Sequence, residues 1–587
     1  MKIIPFGALA LALLGQTAVQ SPPAPDPRTG LIVGQVVDAA TGKPLSGAIV
    51  SIGGEFLFPA TGPRPTPPPR ILTGSDGYFV FRDLPRGSFT ISAYKSGYAD
   101  GATGRRRPGG PSQPIEIKPG GRVGDVMVKM WRVASISGTV VDEAGEAIVG
   151  VQIRAFRRSV VEGRRRFVSA STAMSDDRGI YRLGDLIPGD YVVAATAQPI
   201  TAPVMMTGSA FGQPAYAIGR GIPVPPPSKG QAVFVYPPTF SPSGPLDQAT
   251  IVPLGSGEER TAVDIALHPI RGVRVSGVVT GPDGPAASMQ LQMLASGNEA
   301  VSLEQDAPSA ISDQTGAFTF FAVASGDYTI RVAARSRTPG AQTALPSVLW
   351  AATPLSVGRT DIDGVVVSLQ RGLRVTGRFE FDGAMEKPAA QRLAQVPVVV
   401  DAADGPASIS GGAGPSRVDA SGQFTTADVP PGKYFVRIGG SPQGWMFKSA
   451  MYNGRDVADT PFDLRGGDAT GLVITFTDRW SGMRGMVQSA DGPDPDATVL
   501  VFPVDEQMWS AFGMNPRRIR SVRTSATGEY NFPSLLPGDY YAVAVHDDQA
   551  ADWRETKFME SLARLATRVS IGDGEKKTQD LHTRDVR

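Results

Sequence analysis

The sequence predicts an all-β chain of five tandem β-sandwich domains behind an export signal. Three observations carry this. A seventeen-residue unit recurs five times, and within it apolar and polar residues alternate as half-buried strands require. The 587 residues also include 69 glycines and 51 prolines, a composition suited to many short strands joined by turns.

The last copy of the unit runs from Gly528 to Ala544, and earlier copies begin at Gly77, Gly179, Gly316 and Gly422. Ten positions on stands a second glycine: Gly87, Gly189, Gly326, Gly432 and Gly538. Two residues after the first glycine there is always an aromatic (Phe79, Tyr181, Phe318, Phe424, Tyr530), and two after the second there is another (Phe89, Tyr191, Tyr328, Tyr434, Tyr540). Leu84, Leu186, Val323, Val429 and Leu535 hold the position three before the second glycine. The polar run before the first glycine, such as Asp313-Gln314-Thr315, is hairpin-loop chemistry: Asp or Ser bonds the backbone and Gly takes the positive φ. Proline before the second glycine (Pro188, Pro431, Pro537) suits a type I or II turn. Leucine, turn and tyrosine together match the tyrosine corner of immunoglobulin-like sandwiches, so these aromatics are read as core and corner residues.

A second pattern opens each repeat. Gly34, Gly138, Gly277, Gly377 and Gly485 lie in β-rich stretches such as Leu31-Ile32-Val33-Gly34-Gln35-Val36-Val37-Asp38, and the hairpin glycine follows after 43, 41, 39, 45 and 43 residues. Spacing that steady implies one module, with length changes confined to loops. The boundaries read from it are a signal peptide at 1–20, a proline-rich lead-in at 21–30, and sandwiches at 31–131, 132–270, 271–370, 371–479 and 480–587. The second sandwich carries a long Pro/Gly-rich loop at 196–240, read as a mobile surface loop. Helix is scarce. In the fifth sandwich Asp505 is placed to cap a turn burying Met508, Trp509 and Phe512, and Glu555 to Ala566 sets Phe558, Leu562 and Leu565 on one face.

Met1-Lys2 followed by the apolar run Ile3 to Leu14 reads as a bacterial export signal; the run is too short to span a bilayer. No later stretch reads as a transmembrane helix. Lys and Arg (57) balance Asp and Glu (56), so no global field points to nucleic acid. The absence of cysteine excludes disulfides, thiolate metal sites and a cysteine nucleophile.

Catalytic motifs are missing: there is no Gly-x-Ser-x-Gly, His-Glu-x-x-His or phosphate loop, and the three histidines (His268, His546, His582) stand in unrelated contexts. The expectation is a chain that is no enzyme and holds no cofactor. Acidic turns such as Asp361-Ile362-Asp363-Gly364 offer oxygen ligands but match no calcium-loop pattern, so no metal is assigned. The arginine runs 105–107, 157–158 and 164–166 read as solvated hairpin tips, with contact to anionic polysaccharide or a membrane surface as the alternative. Trp445, Trp480 and Trp553 stand outside the repeat pattern and are the candidates for stacking on a glycan; the alternative is that they are packed residues.

The Gly-x-Val-x-Asp opening, the Asp-x-x-Gly-x-aromatic hairpin and the Pro-Gly-x-Tyr turn together resemble the carboxypeptidase regulatory-like domain. The match is tightest around Thr41-Gly42-Lys43-Pro44-Leu45 and Ser75-Asp76-Gly77-Tyr78-Phe79. The resemblance implies a seven-stranded transthyretin-like (prealbumin-like) sandwich, close to collagen-adhesin B-type modules. In metallocarboxypeptidases this module accompanies a catalytic domain, and in some outer-membrane receptors it precedes a barrel; neither is expected here. The opening strands carry no lysine, so the Lys–Asn isopeptide bond of some adhesin modules is not expected either. The functional expectation is an exported, non-catalytic array serving the cell envelope as scaffold, spacer or adhesin, with polysaccharide or envelope and surface proteins as partners. The alternative is a carbohydrate-binding protein using loop aromatics at the sandwich ends.

Overall fold

The glycine that opens each repeat sits where no side chain fits. In the computed structural model, which describes residues 29–54, 70–196, 198–199, 204–206, 215–218, 222–223, 227–228, 230–296, 307–336, 345, 347–403, 416–510, 512–513 and 516–586, the opening strand of every repeat has the same two principal neighbours. It pairs antiparallel with the hairpin strand and parallel with the strand that ends the repeat. Thus Gly30–Asp38 lies between Tyr78–Leu84 and Arg122–Arg132, and Ile270–Gly281 lies between Ala317–Val323 and Ile362–Ser368. Val375–Asp382 lies between Gln423–Thr425 and Ala469–Thr477. In the second and fifth repeats the closing partner is a broken strand, Glu259–Arg260 with Ile265–Ala266 and Lys576–Thr578 with Leu581–Arg584.

Directly across from each opening glycine stands the hairpin aromatic: Gly34 with Phe79, Gly138 with Tyr181, Gly277 with Phe318, Gly377 with Phe424, Gly485 with Tyr530. On the other side a carbonyl of the closing strand crowds in. A Cβ would meet Val126 O at 2.2 Å, Val263 O at 2.1 Å, Val365 O at 1.9 Å, Leu472 O at 2.0 Å or Gln579 O at 2.0 Å. In the two tyrosine repeats the hydroxyl donates to that same carbonyl, Tyr181 to Val263 and Tyr530 to Gln579. The two sequence patterns, some forty residues apart, are thus one packing device.

The second sheet is built on the strand pair Ile49–Gly54 and Gly87–Tyr94 in the first repeat, and on Gln152–Val161 and Gly189–Ala195 in the second. Its counterparts are Gln290–Ala295 with Gly326–Ser336, Val398–Ala402 with Lys433–Ile438, and Ala497–Pro503 with Gly538–His546. Apolar residues of both sheets meet in one core, for example Ile136 and Val140 with Ile153, Tyr191 and Val193 in the second repeat. Burying each such side chain contributes roughly 1.5–3 kcal/mol. The second-glycine tyrosines form the corner: Tyr191, Tyr328, Tyr434 and Tyr540 each donate to the carbonyl four residues upstream, at 2.5 to 2.9 Å. This is an all-β, immunoglobulin-like sandwich fold.

The hairpin loops are held by one side chain each. Asp313 Oδ1 accepts from the Thr315 N and Oγ1 and from Ala317 N, and Asp419 Oδ1 accepts likewise from Ser421 and Gln423. The Ser421 hydroxyl, then the Gln423 amide, hold the Asp419 carboxyl below its usual range; the Ile180 and Arg178 amides do the same for Asp176. A folded pKa below the unfolded one gives stability that is present above about 3.8 and is lost as pH falls through the lower folded value. Urea midpoints are therefore expected to hold from pH 7 to 5 and drop below pH 3.8, with Asp419→Asn flattening the fourth repeat's share of that drop.

The chain divides into two compact units. The first holds the described residues up to Ser96 with Asp100–Arg105 and Pro111–Met130, and the second holds Gly97–Ala99, Arg106–Gly110 and Trp131–Arg587. Several expectations change in detail. The signal peptide and nearly all of the lead-in lie outside the described residues, as does much of 196–240. The described end of that stretch is a regular strand, Val233–Tyr236, in one sheet with Ile270–Gly272. Asp505 does cap a short helix, Glu506–Trp509, accepting from Gln507 N at 3.0 Å. The helix Thr556–Leu565 buries Met559 and Leu562 while Leu565 stays 39% exposed, because its contact face is set by Trp553, Leu500 and Val543 on the outside of the sheet. The strand Ala497–Pro503 is consequently buried on both faces: Val499 and Val501 face the sandwich core, Leu500 and Phe502 the helix-covered one.

Candidate functional site

The three tryptophans singled out by sequence do not come together. Trp445 is 2% exposed, in the fourth core, with its ring 4.8 Å from that of Phe381. Trp553 is 5% exposed beneath the helix of the fifth repeat, beside Phe502. Neither ring can stack on a sugar from these positions, which corrects the glycan-stacking expectation for both. Trp445 is buried because it enters the fourth sandwich core beside the opening strand, and Trp553 because the added helix covers it, neither of which the period-two pattern encodes. Trp480 is 38% exposed, and its Nε1 donates to Gly444 O at 3.0 Å.

The polar side chains outside the repeat pattern gather instead between repeats of the second unit. From the second to the third, Val233–Tyr236 adds to the opening strand, and Arg274 donates to Pro227 O at 3.1 Å while lying over the Phe321 ring. From the third to the fourth, Val348 N points to buried Asp428, whose other oxygen pairs with Arg374.

The junction of the fourth and fifth is the richest in charge. Arg517 stacks 4.1 Å over Phe447 and donates to Phe447 O and Lys448 O at 2.7 and 2.9 Å. Arg518 Nε donates to Asp459 Oδ2 at 2.7 Å, and its Nη1 reaches Pro537 O and the Tyr540 hydroxyl at 2.8 and 3.0 Å. Arg437 donates to Phe512 O at 3.1 Å. Burial pushes the Arg517 pKa down, opposed by Asp459. Nearby, Asp382 and Asp573 alternate with Lys448 and Arg479, and the Lys448 ammonium, then Arg479, hold the Asp382 carboxyl low. The cleft here, between Arg437, Asp459 and Arg518, has a volume of about 10 Å³, on the order of a single water.

Sequence reasoning did not find Asp459, Arg517 and Arg518. No local signal marks them, because their partners are set by how the two repeats meet. The arginine runs also depart from the reading as solvated tips. Arg106 and Arg107, which cluster with the second unit, pair there with Asp496 and with Ala550 O and Asp547, and Arg158 pairs with Asp190. Among the described residues, no group of three or more His, Asp and Glu side chains is placed to hold a metal ion, and no helix is long and apolar enough to cross a membrane.

Comparison with known proteins gives one local family match and several distant structural likenesses. Solved structures similar to this chain include the minor pilin of Streptococcus agalactiae (14% identity, 41% of this chain and 97% of that one, TM-score 0.21). A streptococcal ancillary pilin (9% identity, 58% and 99%, TM-score 0.18) and the major pilin subunit of Bacillus cereus (9% identity, 58% and 99%, TM-score 0.14) are also similar. The search of curated proteins finds no match. The family model that matches is that of the carboxypeptidase regulatory-like domain, over residues 135–204, the stretch from the second opening strand through its hairpin and corner. Residues 135–204 thus match the carboxypeptidase regulatory-like domain, within a chain whose repeats share one β-sandwich pattern.

Proposed function

We propose that this protein is an exported, non-catalytic scaffold of the bacterial cell envelope, built of five sandwich domains at 31–131, 132–270, 271–370, 371–479 and 480–587. One observation supports the reading above others: the charged and aromatic side chains that are not needed for the repeat are spent on fixing one repeat against the next, as Arg517, Arg518 and Asp459 do. Side chains used in this way hold an architecture and leave little for turnover of a substrate. Its partners are envelope or surface proteins, engaged by loops at the sandwich ends. The exposed part of the Trp480 ring supports carbohydrate binding as the second reading.

The test is retention of the purified chain on insoluble polysaccharides and cell-wall fractions, beside crosslinking in intact cells. Crosslinks to envelope proteins with no retention on any polysaccharide are the expected result. Saturable retention on a polysaccharide, lost in Trp480→Ala, would replace the scaffold reading with the lectin one.

A further inference from the structure

The three junctions just described join repeats that are neighbours in sequence. A fourth contact joins the second repeat to the fifth, its members 393 positions apart in sequence. In the second repeat the first hairpin of the second sheet is drawn out. Its strands, Gln152–Val161 and Arg164–Met174, have 10 and 11 residues, against 6 for Gln290–Ala295 and 7 for Ala497–Pro503. The inner half of Gln152–Val161 is buried in the sandwich, while the outer half, from Arg157 on, is only half-buried. Opposite that outer half, Phe167 packs against the small cluster of Phe156, Val192 and Phe240, and the strands continue beyond it to the tip.

It ends in a two-residue turn, Glu162-Gly163, with φ of +52° and +79°. The Gly163 carbonyl accepts from Thr556 N at 3.1 Å and from Thr556 Oγ1 at 3.0 Å. Thr556 is the first residue of the ten-residue helix, so its N–H has no partner within the helix and the hairpin carbonyl supplies one. Beside it, Arg165 Nη2 lies 2.6 Å from Glu555 Oε2, and the Glu555 side chain is only 13% exposed. The seat is close-fitting: a Cβ on Gly163 would stand 2.5 Å from Trp509 O and 3.1 Å from Thr556 Oγ1.

We infer that this contact is a latch that closes the last four repeats into a circuit. The hairpin tip of the second repeat is the bolt, and the start of the helix on the fifth is the seat. The latch is polar and local, so it opens without exposing any of the sandwich cores. Opening it releases the second repeat's hairpin tip from the fifth repeat, which then keeps its junction with the fourth and its pairs with Arg106 and Arg107. A partner that binds either the hairpin tip or the helix start would thereby control the spacing of the second and fifth repeats.

The chain has no cysteine, so spin labels at Ser169→Cys and Glu560→Cys, both exposed, report this distance in the full-length protein by pulsed dipolar spectroscopy. A single narrow distance distribution is expected. Glu555→Arg, which puts like charges together, should lower the closed-to-open ratio roughly ten-fold, broadening and lengthening the distribution. Adding Arg165→Glu should restore the narrow peak, while thermal unfolding stays unchanged across the set. Gly163→Val gives the steric version of the same test. A broad distribution in the parent protein, or a narrow one that neither Glu555→Arg nor Gly163→Val disturbs, would overturn the latch.

Discussion

Gly277→Ala is expected to destabilise the third repeat by about 3 kcal/mol, at the upper end of what overpacking usually costs. The added methyl would lie 1.9 Å from Val365 O, 2.7 Å from Val365 C and 2.9 Å from its Cα. All three are backbone atoms, so no rotamer change relieves the clash. The opening strand must move away from Ile362–Ser368, and it cannot do so without disturbing its pairing with Phe318 on the other side. Calorimetry of the full chain should show one transition displaced downward and the rest in place. Gly358→Ala is the control in the same repeat: no atom lies within 4 Å of its Cβ and its φ is not in the left-handed region. If Gly277→Ala melts like the parent, the close approach of the two strands is not what fixes this glycine.

Asp459→Ala should cost about 3–5 kcal/mol and uncouple the fourth repeat from the fifth. The carboxylate stands between two guanidinium groups, 2.7 Å from Arg518 Nε and 3.6 Å from Arg517 Nη1, and all three side chains are at least four-fifths buried. Arginine does not shed its proton in proteins. Removing Asp459 therefore leaves two adjacent cations, with Arg437 close by, away from water and without their counter-charge. Most of the expected loss comes from that uncompensated charge, which makes a distinctive test possible. Asp459→Ala combined with Arg518→Met should be less damaging than Asp459→Ala alone, measured by urea unfolding and by amide exchange along Phe447–Met451 and Ile519–Arg523. Equal or greater damage in the double variant would show that the pair stabilises the junction through its own attraction.

What could be read from the sequence were the features whose partners lie at fixed offsets. The hairpin Asp or Ser, the corner tyrosine and its carbonyl four residues upstream, and the opening glycine all recur with constant spacing, so five copies expose them. The pairing of that glycine with the hairpin aromatic is equally regular, yet it emerges only when the register is seen. Trp445 and Trp553 mislead because they stand outside the repeat pattern, which suggests exposure, whereas Trp445 packs into the fourth sandwich core and Trp553 lies beneath the added helix. The helix near the C-terminus was placed to within a residue, but its buried face turned on Met559, since the neighbours that choose the face belong to Trp553 and to the outer side of Ala497–Pro503. Gly163 and Glu555 carry no local mark at all; each is ordinary until the hairpin tip and helix start are brought together.

The parallel pairing of first and last strands has a mechanical consequence. In every repeat the chain enters along one strand and leaves along its immediate neighbour, running in the same direction: Gly30–Asp38 beside Arg122–Arg132, Val375–Asp382 beside Ala469–Thr477. Tension along the chain therefore pulls these two strands past one another, loading the bonds of the ladder beyond its bulge together rather than one at a time. A repeat wired this way resists stretching by shear, and its lifetime under load is set by the rate of that single rupture event.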